Sequence, residues 1–211
     1  MANQNPQHDI DASVLNINLT VQLSAVKAFF LLLQNGFSIK CLTGISIEQL
    51  LYNQLGLTPQ LVEKKISTVF LDGKPVDDIA MAIVQDGSSL ALSGAMPGLV
   101  GATLRRKSPL ASFRQSISVE SGLGKSEPIQ GHVMVKLFNV LLKELGPFFL
   151  RTGIFVPAPA FVDLVAGKAD DFPDKCIQVV VNGVPVTSQS QDEWHSLLAS
   201  HDSVHLKVKV G

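Results

Sequence analysis

The sequence predicts an α+β protein built of two modules, each a mixed sheet crossed by a short helix. Three observations lead there. First, Val69-Phe70-Leu71-Asp72-Gly73-Lys74-Pro75-Val76 and Val179-Val180-Val181-Asn182-Gly183-Val184-Pro185-Val186 share one pattern: an apolar run, Asp-Gly or Asn-Gly, one residue, then Pro-Val. Asp-Gly and Asn-Gly tolerate the positive φ of a tight hairpin, so each marks a reversal between strands. Second, a polar turn and an alternating run follow each: Ser88-Ser89-Leu90-Ala91-Leu92 and Asp202-Ser203-Val204-His205-Leu206. Alternation is the pattern of a strand with one buried face. Third, two upstream pairs keep the same order. Phe29-Phe30-Leu31 ahead of Gly36 matches Phe148-Phe149-Leu150 ahead of Gly153, and Ile47-Glu48-Gln49-Leu50-Leu51 matches Phe161-Val162-Asp163-Leu164-Val165.

The first module is read over residues 14–101. Val14 to Leu23 alternates, with Ile17, Leu19, Val21 and Leu23 on one face, and is a strand. Ser24 to Leu33 fits either a short helix or a hairpin arm. Phe37 to Leu42 is a second strand. Ser46 can accept first-turn amide protons and opens a helix whose Ile47, Leu50, Leu51 and Leu55 share a face, with Glu48 near the positive dipole end. Gly56 and Pro59 end it. Strands at Thr68 to Leu71 and Leu90 to Ser93 complete a β-β-α-β-β order. The second module, residues 131–211, repeats it: strands at Val133 to Phe138, Ile154 to Val156, Ile177 to Val181 and Val204 to Val210. Helices are expected at Asn139 to Leu145, ending at Gly146-Pro147, at Ala160 to Val165, and around Trp194, Leu197 and Leu198. Residues 1–13 read as a flexible tail. Residues 102–130, rich in Ser, Gly and Pro, read as a linker with a short ordered piece around Leu110 to Ile117.

Composition narrows the function classes. Of 211 residues 46% are hydrophobic, enough for a sizeable core, and only 17% are charged. Scarce charge leaves few surface ion pairs and apolar surface for a partner to cover. A net charge of -1 gives the whole chain no electrostatic reason to seek nucleic acid or anionic lipid. Cys41 and Cys176 have neither metal spacing nor a disulfide framework and read as free thiols. Met1 to Asp11 lacks the basic n-region of a signal peptide, and the apolar run Ala28 to Leu33 is far below the ~20 residues of a membrane span. The cytoplasm is the default location, with no membrane partner.

A strand ending in an Asp-Gly or Asn-Gly turn, a Val, a polar segment, a further Asp-Gly turn and a terminal alternating strand resembles the β-grasp fold of ubiquitin-like sulfur carriers. The carrying residues are Val69 to Val76, then Asp86-Gly87-Ser88-Ser89-Leu90-Ala91-Leu92, with the helix Ile47 to Leu55 where that fold places its own. The likeness covers residues 14–92 and, more weakly, 133–210, so it implies a tandem arrangement. A carrier of that family needs a free terminus ending in Gly-Gly, because its last carboxylate is adenylated and thiolated. Here Met96-Pro97-Gly98-Leu99-Val100-Gly101 closes the first module with more chain beyond, and Val210 precedes Gly211.

Catalytic patterns are absent from the sequence. His8, His132, His195, His201 and His205 form no H-E-x-x-H or paired Cys/His arrangement. His201 and His205 lie at a turn and strand, where a four-residue spacing keeps them apart. Asp77-Asp78 could do acid/base work, but such a pair also makes a solvated turn or a helix cap. Gly98-x-x-Gly101 and Gly122-x-Gly124-Lys125 lack the strand-loop-helix context of a phosphate cradle. Two features could bind a partner. Arg105-Arg106-Lys107, with Arg114 nearby, is a basic cluster suited to an acidic protein surface or an RNA backbone, though with Phe113 as its only neighbouring aromatic it makes no stacking platform for single strands. Met96, Pro97 and Leu99 form an apolar loop just past a strand. The resulting expectation is a non-enzymatic protein-interaction or adaptor module, without cofactor, that binds a protein partner or itself, sheet edges included. The alternatives are a small-molecule binder using a cleft between modules and, as a minor reading, a sulfur-carrier-like protein.

Overall fold

The computed structural model describes residues 14–110, 127–166, 173–186 and 191–211. Nearly all of the expected tail and ordered linker piece, together with Phe113, Arg114 and Gly122 to Lys125, lie outside the described residues. In chain order the strands are β1 (Val14–Val21), β2 (Phe37–Thr43), β3 (Ile45–Ser46), β4 (Thr68–Leu71), β5 (Lys74–Pro75), β6 (Ile83–Val84), β7 (Ser89–Ser93), β8 (Ile129–Phe138), β9 (Ile154–Pro157), β10 (Cys176–Val181), β11 (Val184–Val186) and β12 (Ser203–Val210). The α-helices are α1 (Phe30–Asn35), α2 (Ile47–Gln49), α3 (Pro59–Lys65), α4 (Gly98–Leu104), α5 (Leu141–Glu144), α6 (Gly146–Thr152), α7 (Ala158–Ala166) and α8 (Gln191–Leu198). The class is α+β with mixed sheet, as the alternation and helical spacings require.

The chain divides into two compact units. The terminal unit joins Met1–Phe29 to Leu150–Gly211, and the central unit is Phe30–Phe149. These boundaries differ from modules at 14–101 and 131–211: β1 works with strands of the second half of the chain, and β8 with strands of the first. The reason is physical. Alternation shows that a segment is a strand with one buried face, but it does not say which strand it pairs with.

In the central unit the strand order is β2-β8-β7-β4-β5. β8 is antiparallel to β2 and parallel to β7, while β4 is antiparallel to both β7 and β5. Phe37, Val69, Leu90, Leu92, Val133, Val135 and Leu137 fill one face, beneath Ile47, Leu50, Leu51, Val62 and Ile66. Phe37 meets Phe149 edge-on at 5.0 Å. Ser46 caps α2 in a capping box with Gln49, and Leu50–Gln54 continue as a wider π-helical turn. α3 departs from expectation: Pro59 does not end a helix but starts one, because Thr58 caps it and proline fits the first helical turn. α5 ends at Glu144, ahead of Gly146-Pro147 as expected, and Pro147 also opens a second helix, α6.

In the terminal unit the order is β11-β10-β1-β12-β9. β1 is parallel to β12 and antiparallel to β10, β12 is antiparallel to β9, and β10 to β11. Leu15, Ile17, Leu19 and Val21 are buried, alternating with Asn16, Asn18 and Thr20. Val204, Leu206 and Phe161 join this core, with Trp194 against Phe161 at 5.4 Å. Each fully buried side chain of this size contributes about 1.5–3 kcal/mol.

The repeated residues take matching places. Asp72-Gly73 and Asn182-Gly183 have φ of 50, 78, 48 and 83°, the two positive values of a type I′ hairpin turn. Each hairpin lies at the end of its unit's strand order, with Pro75 opposite Phe70 and Pro185 opposite Val180. The Val76 amide bonds inward to the Val69 carbonyl at 2.9 Å. By alternation, Pro75 then presents its backbone outward, where a proline has no N–H to give, and Pro185 stands in the same position relative to its turn. Gly36 (φ 124°) precedes β2 and Gly153 (φ 111°) precedes β9. A methyl group at Gly36 would meet the Lys136 stem at 3.2 Å, and one at Gly153 would lie 2.6 Å from His205 Nε2.

Gly153→Ala combines positive-φ strain with that collision, and is expected to destabilise by about 2–4 kcal/mol. Gly183→Ala, with nothing within 4 Å of the added methyl, costs only the backbone strain of about 1–2 kcal/mol. Urea unfolding monitored at Trp194 checks the ranking; equal midpoints would contradict it.

Candidate interaction surface

The segment expected as an apolar loop is a short helix. Pro97 occupies the position before α4 with extended backbone (φ -73°, ψ 163°). Buried Gly101 faces the entering strand of backbone so closely that an added Cβ would strike the Met96 carbonyl group. Glycine here serves close approach rather than linker flexibility. The turn leaves Met96 half-buried and Pro97 exposed. Leu99 is 73% exposed and Val100 70%, consecutive in the first turn of the helix. Large aliphatic side chains this bare, on an element held by its own backbone contacts, form an apolar tip.

The basic cluster does not point one way. Arg105 and Lys107 are exposed, but Arg106 is only 8% exposed. Its Nη2 donates to the Val62 and Ile66 carbonyls at 3.1 Å each, while its amide donates to Ser67 O at 2.8 Å. Val62 is in the last turn of α3, whose carbonyls lack helical partners and carry the negative dipole end. A guanidinium satisfies both needs, and this draws the chain after α4 onto α3. Arg106 is therefore not part of an exposed basic patch, and residues 102–107 belong to the folded unit rather than to a linker. Lys107 Nζ lies 3.1 Å from Glu63 Oε2, and the Tyr52 hydroxyl donates to Glu63 Oε1 at 3.3 Å. The Lys107 hydrogen bond is the main influence holding the Glu63 carboxyl below its ordinary pKa. That interaction stabilises the fold above the ordinary carboxyl range and is lost as pH falls through the lowered value.

The remaining chemistry-bearing residues are placed singly. Asp78 Oδ1 accepts the Ala80 amide at 2.9 Å, so it shapes a turn. Burial pushes the Cys41 and Cys176 thiols up to about 11, leaving both protonated and weakly nucleophilic. His201 Nδ1 sits 3.1 Å from Leu197 O, whereas His205 Nδ1 sits 3.1 Å from Asn16 Oδ1. Among the described residues no group of His, Cys, Asp and Glu could hold a metal ion, and no helix is long and apolar enough to cross a membrane.

One signal was open to sequence reading and not used. Among the described residues no strand contains Asp or Glu, although Lys40, Lys74, Lys136, Lys207 and Lys209 lie in them. The described carboxylates lie in helices and connections, so a near-neutral chain carries strands whose charged side chains are all lysines.

Comparison of the chain with family models, with curated proteins and with solved structures finds no match.

Arg106→Ala removes charge-assisted hydrogen bonds and strands buried carbonyls, and should lower stability by about 1.5–3 kcal/mol. Lys107→Ala should stay within about 0.5 kcal/mol, the ordinary range for surface changes. Chemical denaturation of both variants checks this, and losses of similar size would place the clamp elsewhere.

Proposed function

We propose that this protein is a non-enzymatic interaction module that docks a protein partner through the apolar tip of α4. The observation that carries this reading is the exposure of adjacent Leu99 and Val100 on a helix whose position is held by Gly101 against Met96 and by Arg106 against α3. A rigid apolar tip binds without a large ordering cost. Arg105 and Lys107 follow it closely in sequence and are exposed, which suits a partner surface with apolar contacts and acidic groups around them.

The shared pattern of ladders in the two units supports reading each as β-grasp-like. Self-association by strand addition is disfavoured at the hairpin edges, since Pro75 and Pro185 present no N–H to an incoming strand.

Leu99→Asp/Val100→Asp is expected to leave the unfolding midpoint within a few degrees of wild type, because neither side chain is buried. Partner capture, or self-association in sedimentation velocity, should fall at least tenfold. A wild-type chain that is monomeric at all concentrations and retains no partner would sink the reading, as would undiminished binding by the double variant.

A further inference from the structure

The outer face of the terminal-unit sheet carries an ordered array of side chains. The parallel register of β1 and β12 sets Asn16 beside His205, Asn18 beside Lys207 and Thr20 beside Lys209. On β10, Val180 lies beside Asn18 and Gln178 beside Thr20. Phe155 of β9 is opposite His205, and the two rings stack at 4.6 Å and 16°. The charged side chains of these five strands are Lys207 and Lys209. Asp202, the nearest acid along β12, stands before Ser203, at the opposite end from Lys209. Asn16, Asn18 and Lys209 are exposed, while His205 and Lys207 are half-buried.

We propose that this face binds single-stranded nucleic acid. Three kinds of group recur in such recognition: cations for phosphates, aromatic rings on which unstacked bases lie, and amides that hydrogen-bond base edges. Here they form neighbouring rows on one sheet. The overall charge of -1 does not oppose this, because a local field depends on where charges sit, and the charged side chains of these five strands are both lysines. Burial above all, and then the charge of Lys207, lower the pKa of His205, so its ring is neutral near pH 7. It pairs with Phe155 as an aromatic surface rather than as a cation. An acidic peptide would satisfy the lysines but brings no planar base to lie on the Phe155–His205 pair and no base edge for the exposed Asn18 amide. A sheet face accepts a splayed single strand, whereas duplex readers insert an element into a groove.

The test is fluorescence anisotropy of labelled oligo-dT and oligo-rU with the full chain, from low to physiological salt. Saturable binding is expected, weakening with salt. Lys207→Glu/Lys209→Glu should cost at least tenfold in affinity and flatten the slope of log K against log salt by about two. Lys209→Glu alone, at an exposed position, should flatten it by about one, and it keeps the test open if the double variant unfolds. Phe155→Leu should weaken binding with the salt slope unchanged. Lys64→Glu/Lys143→Glu, the same charge change at exposed positions of the central unit, should leave affinity within twofold. No saturable binding at low salt overturns the proposal. So does equal loss in the Lys64/Lys143 control, or displacement of the oligonucleotide by poly-glutamate as effectively as by unlabelled oligo-dT.

Discussion

Both units depend on a central parallel strand pair whose members are far apart in sequence. In the terminal unit β1 is sandwiched between β10 and β12, and the Asn16–His205 contact joins residues 189 positions apart. In the central unit β8 takes the same interior place between β2 and β7. An interior strand satisfies its backbone on both sides and seats its apolar face in the core, so removing it would leave two open edges and an uncovered sheet. The hairpins, the helices above the sheet and the surfaces discussed for binding are all placed by these two strands.

The geometry also explains why the repeated Pro-Val step follows each turn. An Asp-Gly or Asn-Gly reversal turns the chain, and the residue after it pairs inward. The next position presents its backbone away from the sheet, where an N–H would be a docking point for any extended chain. Proline there removes the donor, while Val76 resumes the inward bond. One short motif thus sets the hairpin and guards its edge, which directs attention to sheet faces and to α4 as the surfaces open to partners.

Much of the fold was legible. Alternation located the long strands to within a few residues, Ser46 marked a helix start through its capping chemistry, and Asp72-Gly73 and Asn182-Gly183 marked the hairpins. Strand partnership was not legible, because β1 and β8 present the same alternating pattern to any neighbour. Pro59 and Pro147 were ambiguous, since proline both ends helices and opens them, and only the preceding Thr58 could have favoured opening. At the candidate surface, the exposed apolar pair was visible as residue type, but the inward turn of Arg106 was not. Three consecutive cations look alike in sequence, and it is the unpaired carbonyls ending α3 that single one of them out. The lysine-only charge of the strands was legible in principle, as strands devoid of Asp and Glu, though the registers that align Asn16, His205 and Phe155 were not.

The interior position of β1 has a bearing on how the chain is made. Val14–Val21 leaves the ribosome well before its neighbours β10 and β12, since Asn16 and its partner His205 are 189 positions apart. At about 5–20 residues per second the wait is roughly ten to forty seconds. Throughout that time Leu15, Ile17, Leu19 and Val21 form a greasy ribbon with no seat. Burial of these four side chains, complete in the finished protein, therefore waits on strands made long after them.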